Sequence, residues 1–120
     1  MADARFLFIT LYCRDPGRLA TFWSALLDTP VEDSMDDGRF VFLAAGEGLP
    51  TICLQRVSEA KSVKNRMRLD LLVDDLDVAT ARIVELGGSW PGGAHTLDQF
   101  SWRTVLDPEG NEFDIATSDA

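Results

Sequence analysis

Charged residues alternate with apolar ones in two segments of the chain, around Arg68 and around Glu112 and Asp114. Because successive side chains of a β-strand point to opposite faces, such strands would present their charges together on one face. An arginine there can bind a carboxylate, phosphate or enolate, while an aspartate or glutamate orients the ligand or moves a proton. Arg68 and Asp114 can equally form a bidentate ion pair that is only structural. The sequence leaves both interpretations open.

Histidine and cysteine, the other reactive types, are scarce. The single histidine, His95, falls in a Gly- and Pro-rich loop, which favours a solvent-facing or loop-packing role over metal binding and leaves catalysis as an alternative. Cys13 and Cys53 lie in apolar, strand-like surroundings. In a cytosolic chain this context predicts two buried small hydrophobic residues rather than a disulfide or a zinc site.

Four aromatic residues recur in matched positions of the two halves of the chain: Phe40, Phe42, Phe100 and Trp102. They are predicted to line an apolar cleft that suits a flat or greasy ligand. Packing in the core or at a dimer interface is the alternative explanation.

Composition narrows the possible partners. The chain has 120 residues and a formal net charge of -9, with a pI near 4.4. This length predicts one domain, and the acidic balance disfavours nucleic acid and anionic membranes, which leaves a small molecule or another protein. The beginning of the chain lacks a basic stretch followed by an apolar run, so we expect a cytoplasmic protein without a membrane span.

The first half of the chain predicts the order β, α, β, β, β. A strand over Arg5–Cys13 is followed by Asp15 as a helix N-cap and by Pro16 at the first helical position, with apolar residues at helical spacing as far as Leu27. Three strand-like runs come next: Val31–Met35, Arg39–Ala44 and Thr51–Val57.

The second half repeats this order after a polar linker. A shift of sixty residues relates Phe8 to Arg68 and Asp15 to Asp75. We predict strands at Arg66–Val73, Ser89–Trp90, Phe100–Leu106 and Asn111–Thr117, with a helix from Leu76 to Leu86. The predicted class is therefore α+β, one domain over 1–120 made of two tandem βαβββ modules, 5–57 and 66–118, joined by the linker 58–65.

Three strings carry a family resemblance: LYCRDPGRLATFWSALLD, LQRVSEAKSVKNRMRLDLLVDDLDVATARIVELGG and WRTVLDPEGNEFDI. Together they resemble the glyoxalase, bleomycin-resistance and extradiol-dioxygenase proteins, the vicinal oxygen chelate (VOC) superfamily, and most closely its small bacterial glyoxalase-like members. The resemblance covers essentially the whole chain. It implies an open, curled mixed sheet around a ligand cleft, often in a homodimer, but it does not imply one reaction.

Metal-dependent members of the superfamily place ligands on the first and fourth strands of each module. The resemblance maps these positions onto Phe8, Leu54, Arg68 and Asp114, of which only Asp114 can ligate a metal ion. Arg68 has no free lone pair and repels a cation. We therefore predict no metal site and no cofactor.

Three functions remain open. The first is a metal-free protein that sequesters a small hydrophobic or aromatic ligand, such as a drug or metabolite, in the cleft. The second is a lyase or isomerase that uses Asp114 or Glu112 with Arg68, or a metal enzyme with unrecognised ligands. The third is a dimeric scaffold with a filled cleft. The predicted ligand-binding residues are Phe8, Phe42, Leu54, Arg68, Trp102 and Asp114.

Overall fold

A computed structural model describes residues 2–3, 6–65 and 67–118. Within these residues, ten elements follow one another: β1 (Phe8–Cys13), α1 (Pro16–Leu27), β2 (Val31–Met35), β3 (Phe40–Leu43), β4 (Thr51–Arg56), β5 (Leu69–Leu72), α2 (Leu76–Glu85), β6 (His95–Leu97), β7 (Phe100–Leu106) and β8 (Glu112–Ser118). The predicted strand starts at Arg5 and Arg66 lie outside the described residues.

Two four-stranded mixed sheets hold these strands, in the orders β1-β4-β3-β2 and β5-β8-β7-β6. In each sheet the first strand of the module pairs in parallel with the last, and the remaining pairs are antiparallel. Each module is thus βαβββ, which confirms the predicted α+β class. The chain divides into two compact units, 1–60 and 61–120, while the single domain with its linker at 58–65 stays a prediction.

Helix α1 covers one face of the first sheet. The Asp15 side chain accepts a hydrogen bond from the Arg18 backbone N–H at 3.1 Å, and Pro16 occupies the first turn, as the sequence predicts. From there the helix buries Leu19, Phe22 and Trp23. Alternate residues of the strands meet this helix, and they form the core of the module: Val41, Leu43, Ile52 and Leu54.

Helix α2 covers the second sheet in the same way. Its N-cap, Asp75, accepts a hydrogen bond from the Val78 backbone N–H at 2.9 Å. Ile83 packs into a core with three strand residues, which are Val105, Phe113 and Ile115. The helix ends next to Gly88, where a Cβ atom would lie 2.5 Å from the Leu106 carbonyl oxygen, so only glycine permits this approach.

The strand that follows α2 lies further along the chain than the sequence predicted. Ser89 makes only an isolated bridge to Leu106, whereas the strand that corresponds to β2 is β6, further along the chain. The sequence prediction of a strand at Ser89–Trp90 and a loop at His95 was therefore wrong. The strand was missed because all three of its residues are exposed, so it lacks the apolar alternation that marks a half-buried strand.

A turn at Asp107–Asn111 joins β7 to β8. The buried Asp107 carboxylate accepts hydrogen bonds from the backbone N–H groups of Glu109 and Asn111, both at 2.9 Å, and Gly110 has a φ of 83°. The residues are therefore structural, because they fix the reversal between β7 and β8. Within the described residues, neither helix is long and apolar enough to cross a membrane.

Candidate functional site

Each sheet has a second face, which points away from the helix of its own module. On the first sheet we call this the aromatic face. Its members follow from the strand register: Phe8, Thr10 and Tyr12 on β1, Thr51, Cys53 and Gln55 on β4, Phe40 and Phe42 on β3, and Asp33 and Met35 on β2. Neighbours in register share a face because side chains alternate along every strand.

A pair of phenylalanine rings bridges the middle of the aromatic face. The ring centroids of Phe8 on β1 and Phe42 on β3 lie 5.2 Å apart, at an interplanar angle of 45°. Strand β4 runs between β1 and β3, so the two rings meet above β4. Phe8 is nevertheless 43% exposed. The pair therefore offers apolar ring surface on this side of the sheet.

Cys53 lies under this ring pair. It pairs in register with Thr10 and with Phe42 and is only 4% exposed. Burial raises the pKa of its thiol, and a hydrogen bond with the Thr10 side chain lowers that pKa by less. The thiol is thus neutral at physiological pH and poorly nucleophilic. Cys13 is buried as well, which confirms the prediction that both cysteines are buried hydrophobic residues without a disulfide.

Leu54 does not share the face of Phe8. Phe8 is in register with Thr51, whereas Leu54 is in register with Leu11 and Val41 and is fully buried toward α1. The family resemblance grouped Leu54 with Phe8, and a constant shift of sixty residues relates Leu54 to Asp114. The strand pairing instead makes Cys53 the counterpart of Asp114. Cys53 lies opposite Thr10 in the β1–β4 pair, as Asp114 lies opposite Asp70 in the β5–β8 pair. An offset of one residue moves a side chain to the opposite face.

On the second sheet we call the face away from α2 the charged face. Arg68 precedes β5, and its Nε lies 3.0 Å from an oxygen of Asp70 and 3.2 Å from Asp114 Oδ2. Thr104 donates a hydrogen bond to Asp114 Oδ1 at 2.7 Å. The predicted ion pair between Arg68 and Asp114 is therefore present. It is not bidentate, however, because a single guanidinium nitrogen, Nε, contacts the carboxylates of both Asp70 and Asp114.

Asp70 and Thr104 complete this cluster, although neither is among the predicted ligand-binding residues. Alternation along the strand already placed Arg68 and Asp70 on one face. The position of Thr104 depended on the β7–β8 register, which places it opposite Asp114. Asp114 is only 2% exposed, so water barely reaches its carboxylate. Each of the two carboxylate oxygens contacts another side chain, that of Thr104 or of Arg68. Two carboxylates against one guanidinium leave the cluster with an excess negative charge.

Glu112 is engaged with the segment that precedes β5. Its carboxylate lies 3.1 Å from Lys64 Nζ, and its backbone carbonyl accepts a hydrogen bond from the Asn65 side chain at 3.1 Å. The hydrogen bond from Lys64 lowers the pKa of the Glu112 carboxyl. Glu112 is therefore ionised at neutral pH, which makes it a poor general acid.

His95 and Trp102 form a second ring pair, with centroids 5.4 Å apart and planes at 27°. They are directly opposite each other on β6 and β7. His95 is exposed, as predicted, although it lies in a strand rather than a loop. Trp102 pairs with Ala116 on β8, whereas Phe42 pairs with Cys53 on β4. The two aromatic positions are thus not equivalent in register.

An open groove of about 540 Å³ lies at the N-terminal end of α2. Its lining consists of Leu72, Val73, Asp74, Asp75, Leu76, Asp77, Ser101, Arg103 and Thr117. Arg103, which the sequence prediction missed, donates to Thr80 Oγ1 at 2.8 Å and to Asp77 Oδ1 at 2.6 Å, and it lies over the Trp90 ring. These contacts join β7 to α2, so Arg103 acts in packing.

The positions that match the superfamily's metal ligands do not fit a divalent ion. Phe8 has no donor atom, Leu54 points toward α1, and the Asp114 carboxylate binds the Arg68 guanidinium, which is the cation of this site. Among the residues that the structure describes, no three histidine, cysteine, aspartate or glutamate side chains cluster to hold a metal. Metal independence stays a prediction.

Comparison with known proteins identifies the family. Residues 8–116 match the model of the glyoxalase-like domain family, so the chain belongs to this family and to the glyoxalase/bleomycin resistance/dioxygenase (VOC) superfamily. No functionally curated protein matches the chain significantly.

Several solved structures share the fold. A glyoxalase/bleomycin resistance/dioxygenase family enzyme from Burkholderia phytofirmans has a TM-score of 0.74 at 18% identity, covering 92% of this chain and 96% of that one. The fosfomycin resistance protein FosX from Mesorhizobium loti has a TM-score of 0.73 at 16% identity, covering 98% and 94%. Lactoylglutathione lyase from Agrobacterium tumefaciens has a TM-score of 0.67 at 15% identity, covering 97% and 95%. At these identities the likeness establishes the fold alone.

Proposed function

We propose that this protein binds a small, flat, apolar ligand on the aromatic face of its first module, without a metal ion, and thereby sequesters it. The observation that carries this proposal is the Phe8–Phe42 ring pair, with Phe8 43% exposed on a strand. Exposed aromatic surface of this kind binds flat ligands through ring stacking and burial of apolar area. One structural relative is a fosfomycin resistance protein, which makes antibiotics candidate ligands for the test below.

The charged face supports a binding role over catalysis. A general base needs a lone pair that can reach the proton it removes. The Asp114 carboxylate is 2% exposed and each of its oxygens accepts a contact, from Thr104 or Arg68, so a substrate would have to enter a buried site to reach the remaining lone pairs. Glu112 is held by Lys64. Arg68 in turn is surrounded by two carboxylates, which weakens its attraction for an anionic substrate.

The natural thiol of Cys53 provides the test, because it lies beneath the ring pair. A panel of aromatic metabolites and antibiotics is screened by thermal shift. For each compound that stabilises the protein, iodoacetamide labelling of Cys53 is followed by peptide mass spectrometry. A ligand of the aromatic face is expected to raise the melting temperature and to slow the labelling of Cys53.

Phe8→Ala is expected to abolish both effects, whereas Leu49→Ala is the matched control. Leu49 is also an exposed apolar residue, but it lies in the β3–β4 connection. If a ligand stabilises the protein equally in the wild type and in Phe8→Ala, and Cys53 labelling does not change, the aromatic face is not the binding site.

A second candidate is a cofactor-free lyase or isomerase in which Asp114 moves a proton and Arg68 orients the substrate. The observation in its favour is the burial of the Asp114 carboxylate, which is common for catalytic carboxylates. Asp114→Asn keeps the shape of the side chain and removes the base. Turnover that persists in this variant would exclude the mechanism.

The homodimer and the cytoplasmic location also remain proposals. Large apolar side chains immediately before β1 support the dimer, because Phe6 is 84% exposed and Leu7 is 73% exposed. Sedimentation equilibrium at several protein concentrations tests it, and a single species of 13.3 kDa at every concentration would contradict it.

A further inference from the structure

The charge around the Phe8–Phe42 pair comes from one strand at the edge of the sheet. Asp33 on β2 stands directly opposite Phe42 on β3 and shares its face. Directly opposed residues of antiparallel strands have Cβ atoms about 5 Å apart. None of the described strand residues on the aromatic face is basic, since Arg56 of β4 lies in register with Cys13 on the other face. Among the described strand residues of the aromatic face, the charged side chain beside the ring pair is therefore the acidic Asp33, while the nearest guanidinium, that of Arg39, lies over the Phe40 ring.

The hairpin from β2 to β3 strengthens this field. Residues 31–39 contain four acidic side chains, which are Glu32, Asp33, Asp36 and Asp37. One basic side chain, Arg39, accompanies them and lies 3.8 Å from Asp36. The carboxylates of the hairpin thus outnumber its cations, and they are solvent-exposed. A bound anion would be repelled here, and a bound cation would be attracted.

The rings themselves favour the same sign of charge. The face of an aromatic ring carries negative partial charge and attracts a cation placed over it. The aromatic face contains one internal example, because the Arg39 guanidinium carbon lies 5.4 Å from the centroid of the Phe40 ring. Phe8 and Phe42 contact each other, with Phe8 partly exposed, so a ligand cation can take the place over these rings that Arg39 takes over Phe40.

We infer that the ligand of the aromatic face is a planar aromatic cation, such as a quaternised or protonated heteroaromatic amine. This inference rests on the proposed function and adds the charge of the ligand to it. Its flat ring system packs on Phe8 and Phe42, while its positive charge faces the Asp33 carboxylate. The net charge of -9 on the whole chain speeds the approach of such a ligand at low salt.

Three probes of nearly equal size separate charge from shape: N-methylquinolinium, a cation; quinoline, neutral at pH 8; and quinoline-2-carboxylate, an anion. Binding is measured by isothermal titration calorimetry at low and at high salt, and the site is verified by protection of Cys53 from iodoacetamide. The cation is expected to bind about fivefold to tenfold more tightly than quinoline, the gain that a cation–π contact gives. Its affinity is expected to fall as salt rises, and the anion is expected to bind most weakly.

Asp33→Asn tests the source of the preference. The side chain keeps an oxygen for its hydrogen bond with the Ser34 backbone N–H, while the charge is lost. The ratio of cation to quinoline affinity is expected to fall in this variant. Asp98→Asn removes the same charge in the second module, at a position with a φ of 53° that asparagine accepts, and the ratio is expected to stay as in the wild type.

The possible outcomes distinguish a failure of the charge preference from a failure of the proposed function. Equal affinities for the three probes with full protection of Cys53, or tighter binding of the anion, would overturn the charge preference and leave the proposed function standing. If no probe binds and no compound of the screening panel protects Cys53, the proposed function fails and this inference fails with it.

Discussion

The two modules carry side chains of different chemistry at corresponding positions of their sheets. In the first sheet, the row across β1, β4 and β3 reads Thr10, Cys53, Phe42. In the second sheet, the corresponding row across β5, β8 and β7 reads Asp70, Asp114, Thr104. In the first row, the Phe8 and Phe42 rings cover the neutral thiol of Cys53. In the second row, the Arg68 guanidinium contacts the carboxylates of both Asp70 and Asp114.

Because of this difference, the aromatic face can receive a ligand, whereas the polar groups of the charged face already contact one another. The charged face uses its polar atoms internally, since Asp114 contacts both Thr104 and Arg68. A ligand there must replace strong contacts in a buried site. The aromatic face leaves part of Phe8 exposed, so a ligand gains apolar contact at little cost. Duplication of a fold module therefore need not duplicate a binding site.

Removal of the guanidinium should have the largest effect. Arg68→Met keeps the apolar stem but leaves the buried Asp114 carboxylate beside Asp70 without a cation. We expect a loss of about 3 kcal/mol in the free energy of unfolding, measured by urea denaturation. The control is Arg56→Met, at an exposed strand end, with an expected change under about 0.5 kcal/mol. Equal losses in the two variants would mean that the charged cluster contributes no stability of its own.

Removal of a ring should have an intermediate effect in the first module. Phe42→Ala breaks the contact with Phe8, and we expect a loss of about 2 kcal/mol, since the side chain is only partly buried. Cys53 loses its cover, so its labelling by iodoacetamide should accelerate about tenfold or more. Phe100→Ala, which removes an exposed ring opposite Ser118, should leave the labelling of Cys53 unchanged. Slow labelling in Phe42→Ala would show that the ring pair does not shield the thiol.

The smallest effect should come from the surface pair of Lys64 and Glu112. The folded pKa of Glu112 lies below its ordinary value of 4.5, so the pair stabilises the folded protein above that pH and loses this effect as pH falls through the folded pKa. Lys64→Gln should cost under about 1 kcal/mol at pH 7, and this cost should disappear once the pH falls below the folded pKa of Glu112. The difference should also shrink at high salt. A difference that grows on acidification would contradict the direction of the pKa shift.

Local signals in the sequence predicted much of this fold. Asp15 with Pro16 and Asp75 identify both helix starts, because side-chain capping and proline geometry act within one turn. The alternation of charged and apolar residues also placed Arg68 and Asp114 on one face, with a structural ion pair as one of two interpretations. These features depend on neighbours along one strand or one helix turn.

Features that depend on register between strands were beyond the sequence. The family resemblance grouped Leu54 with Phe8 as matching positions, whereas the pairing of β1 with β4 turns Leu54 toward α1. Thr104 and the strand at His95 were missed for a related reason. Both are defined by their partners on neighbouring strands, Asp114 and Trp102, and long-range pairing leaves little trace in local composition.

Strand β2 has a consequence for the behaviour of the protein at high concentration. It forms an open edge of the first sheet, with a register shift between Val31 and Asp33 and with exposed carboxylates on Glu32 and Asp33. A regular, uncharged edge is a template on which strands of other molecules add and aggregates grow. The irregular, acidic edge opposes that growth at neutral pH. Neutral substitutions at Glu32 and Asp33 remove this charge, so aggregation of such a variant is expected to begin at this edge.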